Sequence, residues 1–176
     1  MARDSFLLFI ALALAITSAI FDVQQRRIPN RLTYPGIVAG LVLQTFLYGW
    51  RGSLSAIEGF LLLGGIMFMF YAVRAMGAGD VKLMAAIGSL VGPTHGYLVL
   101  LATAICGGIL AIIYALYRGR MGSTLKNLGS VVAFHAQTGL TAHPELNLDN
   151  PATLRMPYGL AIAAGTMYAF LAMWWS

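Results

Sequence analysis

The chain has 176 residues, of which 59% are hydrophobic and only 10% are charged, and its formal net charge is +5. Soluble domains carry about 25% charged residues, whereas here the polar residues are gathered into a few short stretches. This composition excludes a soluble globular enzyme and indicates a single membrane-embedded helical unit. We therefore interpret the excess of Lys and Arg residues as a sign of membrane topology before considering a nucleic-acid partner. The sequence contains no nucleic-acid-binding motif.

Six apolar runs follow one another along the chain, and we predict that each is a transmembrane helix. They cover residues 5–21, 34–50, 54–73, 81–92, 97–117 and 158–175, so the expected fold is an all-α, polytopic bundle in one domain. The first run could instead be a signal peptide, because Thr17, Ser18 and Ala19 are small enough for cleavage. Its length and the neutral pair Arg3 and Asp4 favour a membrane helix.

The fourth run, at 12 residues, is short enough to be re-entrant, and the distribution of basic residues decides between the two possibilities. Nine Lys and Arg residues follow runs 1, 3 and 5, whereas two lie on the opposite side. The positive-inside rule then places both termini outside and the loop 118–156 in the cytoplasm, provided that run 4 crosses. A helix of about 18 Å that reaches the outer interface begins below the inner surface, so Asp80 is predicted to be recessed.

The loop 118–156 is the one long hydrophilic segment. Its apolar residues fall at helical spacing in one stretch, which fits either a helix lying on the inner leaflet or an irregular loop. The residues concerned are Met121, Leu125, Leu128 and Val132.

Three acidic residues lie where a charged carboxylate is costly: Asp22, Glu58 and Asp80. The topology places Asp22 and Asp80 at the cytoplasmic side at similar depth. Glu58 lies near the outer end of its helix, so we interpret it as a packing or hydrogen-bonding residue. Two neighbouring carboxyl groups share a proton, which lets one act as a general base and the other as a general acid.

A plainer interpretation is that Asp22 caps the end of the first helix beside Arg26 and that Asp80 caps the start of the fourth. Gly77 and Gly79 favour the catalytic interpretation, because glycines let the backbone bend and approach a substrate closely. Lys82 could offset negative charge there, or anchor the helix at the inner leaflet.

The motifs together resemble the type IV prepilin peptidase family of GxGD aspartyl proteases (peptidase A24). Residues 77–82 spell GAGDVK, Asp22 precedes Ile28, Pro29 and Asn30 in a D-x(5)-IPN arrangement, and residues 156–159 read MPYG. The last motif is similar to the short members that serve tight-adherence (Flp) pili. The resemblance spans nearly the whole chain.

The resemblance implies a bacterial inner-membrane endopeptidase whose catalytic residues are Asp22 and Asp80. Gly77, Gly79, Lys82, Pro29 and Asn30 would bind substrate or support the aspartates. The implied substrate is a prepilin with a short basic leader, cleaved at the cytoplasmic membrane face, and pilus assembly machinery is a possible partner.

Larger members carry an added cytoplasmic domain with paired cysteines and methylate the new N-terminus. The first loop here is short and lacks Cys, so we expect cleavage without methylation and without zinc.

Two other classes remain open. A small transporter would use Asp22, Glu58 and Asp80 as acids at successive depths. An assembly subunit of a pilus or secretion system would use its GxxxG spacings to pack against partner helices. The scattered histidines and the single cysteine form no metal-binding spacing, and no cofactor is expected.

Overall fold

The computed structural model describes residues 2–119 and 157–175 and a few positions between them, namely 122, 127, 129–131, 133, 134, 138, 139 and 141. Helix α1 spans Ala2–Gln25, α2 spans Asn30–Tyr48, α3 spans Trp50–Ala72, α4 spans Ala78–Tyr117 and α5 spans Gly159–Trp175. Within these residues every regular element is a helix. Helix α4 is interrupted at Gly92, and its two parts are named α4a (residues 78–91) and α4b (residues 93–117).

The interruption of α4 follows from two adjacent residues. Gly92 adopts φ 69° and ψ −179°, a backbone conformation that only glycine tolerates easily, and Pro93 has no N–H to continue the helical hydrogen bonds. The buried side chain of Gln44 donates to the Leu90 carbonyl at 3.0 Å, which satisfies an acceptor beside the break. Leu63 packs against both Gly88 and Gly96, so the chain turns back on itself at this point.

The helices alternate in direction, and this brings three helix ends together. Helix α5 runs antiparallel to α1, with Gly159 beside Asp22 at one end and an aromatic contact of 6.4 Å between Phe170 and Phe9 towards the other. Helix α4a begins at the same end as α5, because Asp80 interacts electrostatically with Asp22. We call this the aspartate end of the bundle.

The predicted all-α bundle of six helices is confirmed for the described part of the chain, whereas several predicted bounds were too narrow. The fourth helix was predicted to begin at residue 81 but begins at Ala78, and the fifth begins at residue 93 because the break is a single glycine and not a loop. The second and third helices begin four residues earlier than predicted. The suggested helix through Met121, Leu125, Leu128 and Val132 lies outside the described residues.

Large apolar side chains cover the outside of the bundle, as expected for a protein surrounded by lipid. The side chains of Phe46 and Tyr117, for example, are 85% and 86% exposed. Among the described residues, three helices are long and apolar enough to cross a membrane by length and composition, namely Arg3–Gln25, Trp50–Ala72 and Ala78–Tyr117. Gly159–Met173 is a shorter apolar helix.

Small residues bring α3 and α4a into close contact. A Cβ atom added to Gly59 would overlap the Gly88 carbonyl group, and one added to Gly88 would overlap the Gly59 carbonyl group. In lipid, where apolar surface provides little drive for helix association, such close backbone contact is a main source of packing energy. The contact holds α4a, and with it Asp80, in a fixed position.

We predict that Gly59→Leu lowers the thermal unfolding midpoint of the purified protein in detergent, corresponding to about 1–3 kcal/mol of destabilisation, because the larger side chain forces α3 away from α4a. The matched control is Gly65→Leu on the same helix, where an added Cβ meets no atom within 4 Å. Equal midpoints for the two variants would contradict the packing described here.

Candidate active site

A cleft of about 660 Å³ opens at the aspartate end of the bundle. It is formed where α1 ends, where α2 begins and where α4a begins. The cleft is lined by Asp22, Gln25, Arg26, Arg27, Ile28, Pro29, Asn30, Gly77, Ala78, Gly79, Asp80 and Lys82. All seven residues predicted from the sequence to form the site therefore line one cavity.

Asp22 lies in the last turn of α1 and is only 8% exposed. Its Oδ2 atom accepts a hydrogen bond of 2.8 Å from the backbone N–H of Gly159, the first residue of α5. A helix N-terminus presents free N–H groups and partial positive charge, so this position suits a carboxylate. Asp22 is thus oriented by α5, and not by Arg26 as the capping interpretation had suggested.

Gly159 lies in close contact with Asp22. A Cβ atom at position 159 would lie 3.0 Å from both Cβ and Oδ2 of Asp22 and 3.2 Å from the Cα atom of Ala19. A side chain there would require Asp22 or Ala19 to shift by a few tenths of an ångström. The PYG motif therefore supplies a residue that touches Asp22 directly.

Asp80 is the third residue of α4a, and the helix cap is Gly77. The Gly77 backbone N–H donates to the Asp80 carboxyl group, which is the reciprocal half of a capping box. The alternative interpretation of Asp80 as the cap residue is contradicted, because Gly77 occupies that position. A Cβ atom on Gly77 would lie 3.1 Å from Oδ2 of Asp80, so this glycine allows the loop to fold closely over the carboxyl group.

Gly79 has a packing role that the sequence did not reveal. A Cβ atom at this position would lie 3.1 Å from Cβ of Ile28, the first residue of the IPN motif. The segment that follows α1 is therefore packed against the first turn of α4a. This contact helps to set the separation between Asp22 and Asp80, which lie on the two elements that it joins.

The two aspartates interact with each other. Asp80 is partly buried, and Asp22 is the charged group that acts on it most directly. Two carboxyl groups held close together do not both ionise readily, and such a pair can share one proton. One ionised and one protonated carboxyl group can together activate a water molecule and protonate a leaving group.

Lys82 and Asn30 link the beginnings of α4a and α2. The Nζ atom of Lys82 donates to Oδ1 of Asn30 at 3.0 Å and lies 5.0 Å from the centre of the Tyr34 ring. Pro29 precedes Asn30 in extended conformation as the cap of α2. The D-x(5)-IPN and GxGDVK motifs are therefore joined by direct side-chain contacts.

Glu58 does not belong to this cluster. It is exposed on α3 and is absent from the cleft lining, so the prediction that it lies apart from the aspartates is confirmed. We predicted a packing or hydrogen-bonding role for Glu58; its exposure contradicts the packing role, and the hydrogen-bonding role stays a prediction. Its neighbour Gly59 packs at Gly88, which places Glu58 about 12 Å from Asp80 along the bundle axis.

Tyr158 is a further residue near the aspartates that motif reasoning did not select. It lies half-buried next to Asp80, and its ring packs against the surface of α4b that Gly107 leaves free. The PYG motif was the available signal, but the sequence could not show that its tyrosine and glycine approach different aspartates.

Comparisons with known proteins agree with the family resemblance of the motifs. The type IV leader peptidase family profile matches residues 8–112. A prepilin leader peptidase/N-methyltransferase of Burkholderia pseudomallei (strain 1026b) is 38% identical over 117 residues, which cover 62% of this chain and 37% of that protein. The Legionella pneumophila protein of the same name is 31% identical over 131 residues, which cover 70% of this chain and 46% of that protein. The matches thus span less than half of these relatives, and no solved structure matches the chain.

We predict that cysteines placed at positions 22 and 80 are linked efficiently by a short bifunctional thiol reagent, because the two side chains face one cleft. The test uses Asp22→Cys with Asp80→Cys in a Cys106→Ser background, since Cys106 is a free thiol. Mass spectrometry of the digested protein identifies the linked peptides. The control pair is Glu58→Cys with Asp80→Cys, and linkage of the control pair as strong as that of the first pair would contradict the described geometry.

Proposed function

The chain belongs to the type IV leader peptidase family, and from this membership we propose that it is an aspartyl endopeptidase that removes leader peptides from prepilins. The observation that carries the proposal is the pair of carboxyl groups, Asp22 and Asp80, lining one cleft and interacting with each other. Neither the fold nor the basic composition alone would support this activity, since helical bundles serve many functions.

The proposed reaction uses the aspartates as one unit. The ionised carboxyl group removes a proton from a water molecule, whose oxygen attacks the scissile carbonyl carbon, while the protonated partner hydrogen-bonds the carbonyl oxygen. The tetrahedral intermediate then collapses, the C–N bond breaks and the leaving amine receives a proton. We assign neither role permanently to Asp22 or Asp80, because the proton belongs to the pair.

The surrounding backbone orients the two carboxyl groups. The Gly159 N–H holds one oxygen of Asp22, and the Gly77 N–H contacts the carboxyl group of Asp80. Each aspartate thereby keeps the rest of its hydrogen-bonding capacity for water and substrate. Proton transfer depends on such fixed geometry, because both groups must reach the same reacting bond.

We place the site at the cytoplasmic face of the bacterial inner membrane, with both termini outside. The basic residues near the aspartate end support this orientation, since Arg26, Arg27 and Lys82 line the cleft itself. Helix α4a has 14 residues and is about 21 Å long, shorter than the ~30 Å hydrocarbon core. Its first turn, with Asp80, would therefore lie below the membrane surface, where a hydrophobic substrate helix is available.

The proposed substrate is a prepilin of the Flp type with a short basic leader, and the proposed product carries an unmethylated N-terminus. The matched relatives are named both peptidase and N-methyltransferase. Here α1 ends at Gln25 and α2 begins at Asn30, so four residues join them and no added domain lies between them. We therefore assign only cleavage to this chain.

The alternative of a proton or cation transporter has less support. It requires acids at successive depths along one internal path, and Glu58 was the candidate for the outer position. Glu58 lies on the outside of the bundle, so it does not continue a path from the aspartate pair. No observation on the described residues favours a purely structural subunit over a peptidase.

We predict that Asp22→Asn and Asp80→Asn each reduce prepilin cleavage by at least ~10²–10⁴-fold, because an amide cannot take part in the shared proton transfer. Co-expression with a prepilin and the mobility shift of the processed pilin measure the effect. Glu58→Gln is the control and should cleave as well as the unmodified protein. Loss of activity in Glu58→Gln with retention in either aspartate variant would contradict the assignment.

A second prediction concerns the chemical state of the product. Mass spectrometry of pilin cleaved by the purified chain in the presence of S-adenosylmethionine should show a free N-terminal amine, because only four residues join α1 and α2 and no added domain lies between them. A product heavier by one methyl group would assign both activities to this chain.

A further inference from the structure

Lys82 lies two residues after Asp80 and lines the same cleft, yet its ammonium group is bound elsewhere. It donates to the neutral amide oxygen of Asn30 at 3.0 Å and lies 5.0 Å from the Tyr34 ring centre. The interactions that act on Asp80 come from Asp22 and the Gly77 backbone, not from Lys82. Within the described part of the chain, this lysine is bound by uncharged groups although two acidic groups line its cleft.

The position of this ammonium group matters because the proposed reaction needs one proton on the aspartate pair. A cation in contact with either carboxyl group would stabilise the doubly ionised pair, which has no protonated carboxyl group to hydrogen-bond the scissile carbonyl oxygen. An amide oxygen and an aromatic face both attract an ammonium group without supplying negative charge. They can therefore hold Lys82 without changing the net charge of the cleft.

We propose that Asn30 and Tyr34 are positioning residues that keep the Lys82 ammonium group out of ion-pair contact with Asp22 and Asp80, and so preserve the proton-sharing pair. This inference rests on the proposed peptidase function. The same hydrogen bond joins the Asn of the IPN motif to the Lys of the GxGDVK motif. The Pro29 cap fixes the start of α2 and thereby the position of Asn30.

Other charged or titratable groups near the cleft must be accounted for in a test based on pH. Arg26 and Arg27 line it from the segment after α1, and both are exposed. Arg31 follows Asn30 on α2 and is also exposed, and Arg74 lies in the segment between α3 and α4a. Tyr158, the residue before α5, interacts electrostatically with Asp80. Substitution of Asn30 leaves all of these unchanged, so a change in pH dependence that requires Lys82 reports on the ammonium group.

The experiment measures the rate of cleavage of a prepilin peptide by the purified full chain as a function of pH. With Asn30→Ala, the ammonium group is released towards the aspartates and favours their double ionisation. The alkaline limb of the profile should move to lower pH by roughly one unit. With Asn30→Asp, the new carboxylate retains Lys82 and adds negative charge, so the limb should stay or move to higher pH. Asn127→Ala, at an exposed position that does not line the cleft, is the control.

The variant Lys82→Gln decides whether the ammonium group causes the shift. Combined with Lys82→Gln, Asn30→Ala should no longer move the alkaline limb. A uniform loss of rate in Asn30→Ala without a shift would overturn the proposal, because Asn30 would then be merely structural. A shift that persists in the Lys82→Gln background would overturn it as well. If the unmodified chain does not cleave, or if Asp22→Asn cleaves equally well in the same assay, the proposed peptidase function itself fails.

Discussion

Two carboxyl groups must lie close together at one end of an otherwise apolar bundle, and most other features of this chain serve that arrangement. Bringing two acids out of bulk water and next to each other is unfavourable when both are ionised, so such a site needs hydrogen bonds to its carboxyl groups. Backbone N–H groups supply the bonds: Gly159 donates to Asp22, and Gly77 to Asp80. Both donors are glycines at helix beginnings, where N–H groups are not used within the helix.

The rest of the fold fixes the two aspartates relative to each other. Close packing of Gly59 against Gly88 holds α4a on α3, and the break at Gly92 returns the chain so that α4b can pack on α5. Helix α5 in turn carries Gly159 to Asp22. Helix α4a is short, at 14 residues, and Asp80 lies in its first turn, so the proposed recessed position of Asp80 follows from the length of this helix.

The sequence was sufficient to predict the helical bundle, the aspartate pair and the cleft residues, because apolar runs and rare embedded charges are strong signals in a membrane chain. It could not predict that Gly159 binds Asp22, since 137 residues separate them and the contact depends on how α5 packs beside α1. The partner of Lys82 was equally hidden, because 52 residues separate it from Asn30 and the contact depends on how α2 packs beside α4a. Helix bounds were less accurate where small and polar residues extend a helix beyond its apolar run, as at Ala78.

The central claim is that Asp22 and Asp80 act as one proton-sharing pair on a peptide bond. It is tested most directly with a prepilin peptide whose scissile amide is replaced by a hydroxyethylene group, which resembles the tetrahedral intermediate. Binding of this analogue to the purified chain is compared with binding of the parent peptide. Transition-state analogues bind at least ~10²-fold more tightly than substrates, and we expect this advantage to disappear in Asp22→Asn and in Asp80→Asn. Equal affinity for the analogue in the unmodified chain and in both variants would contradict the claim.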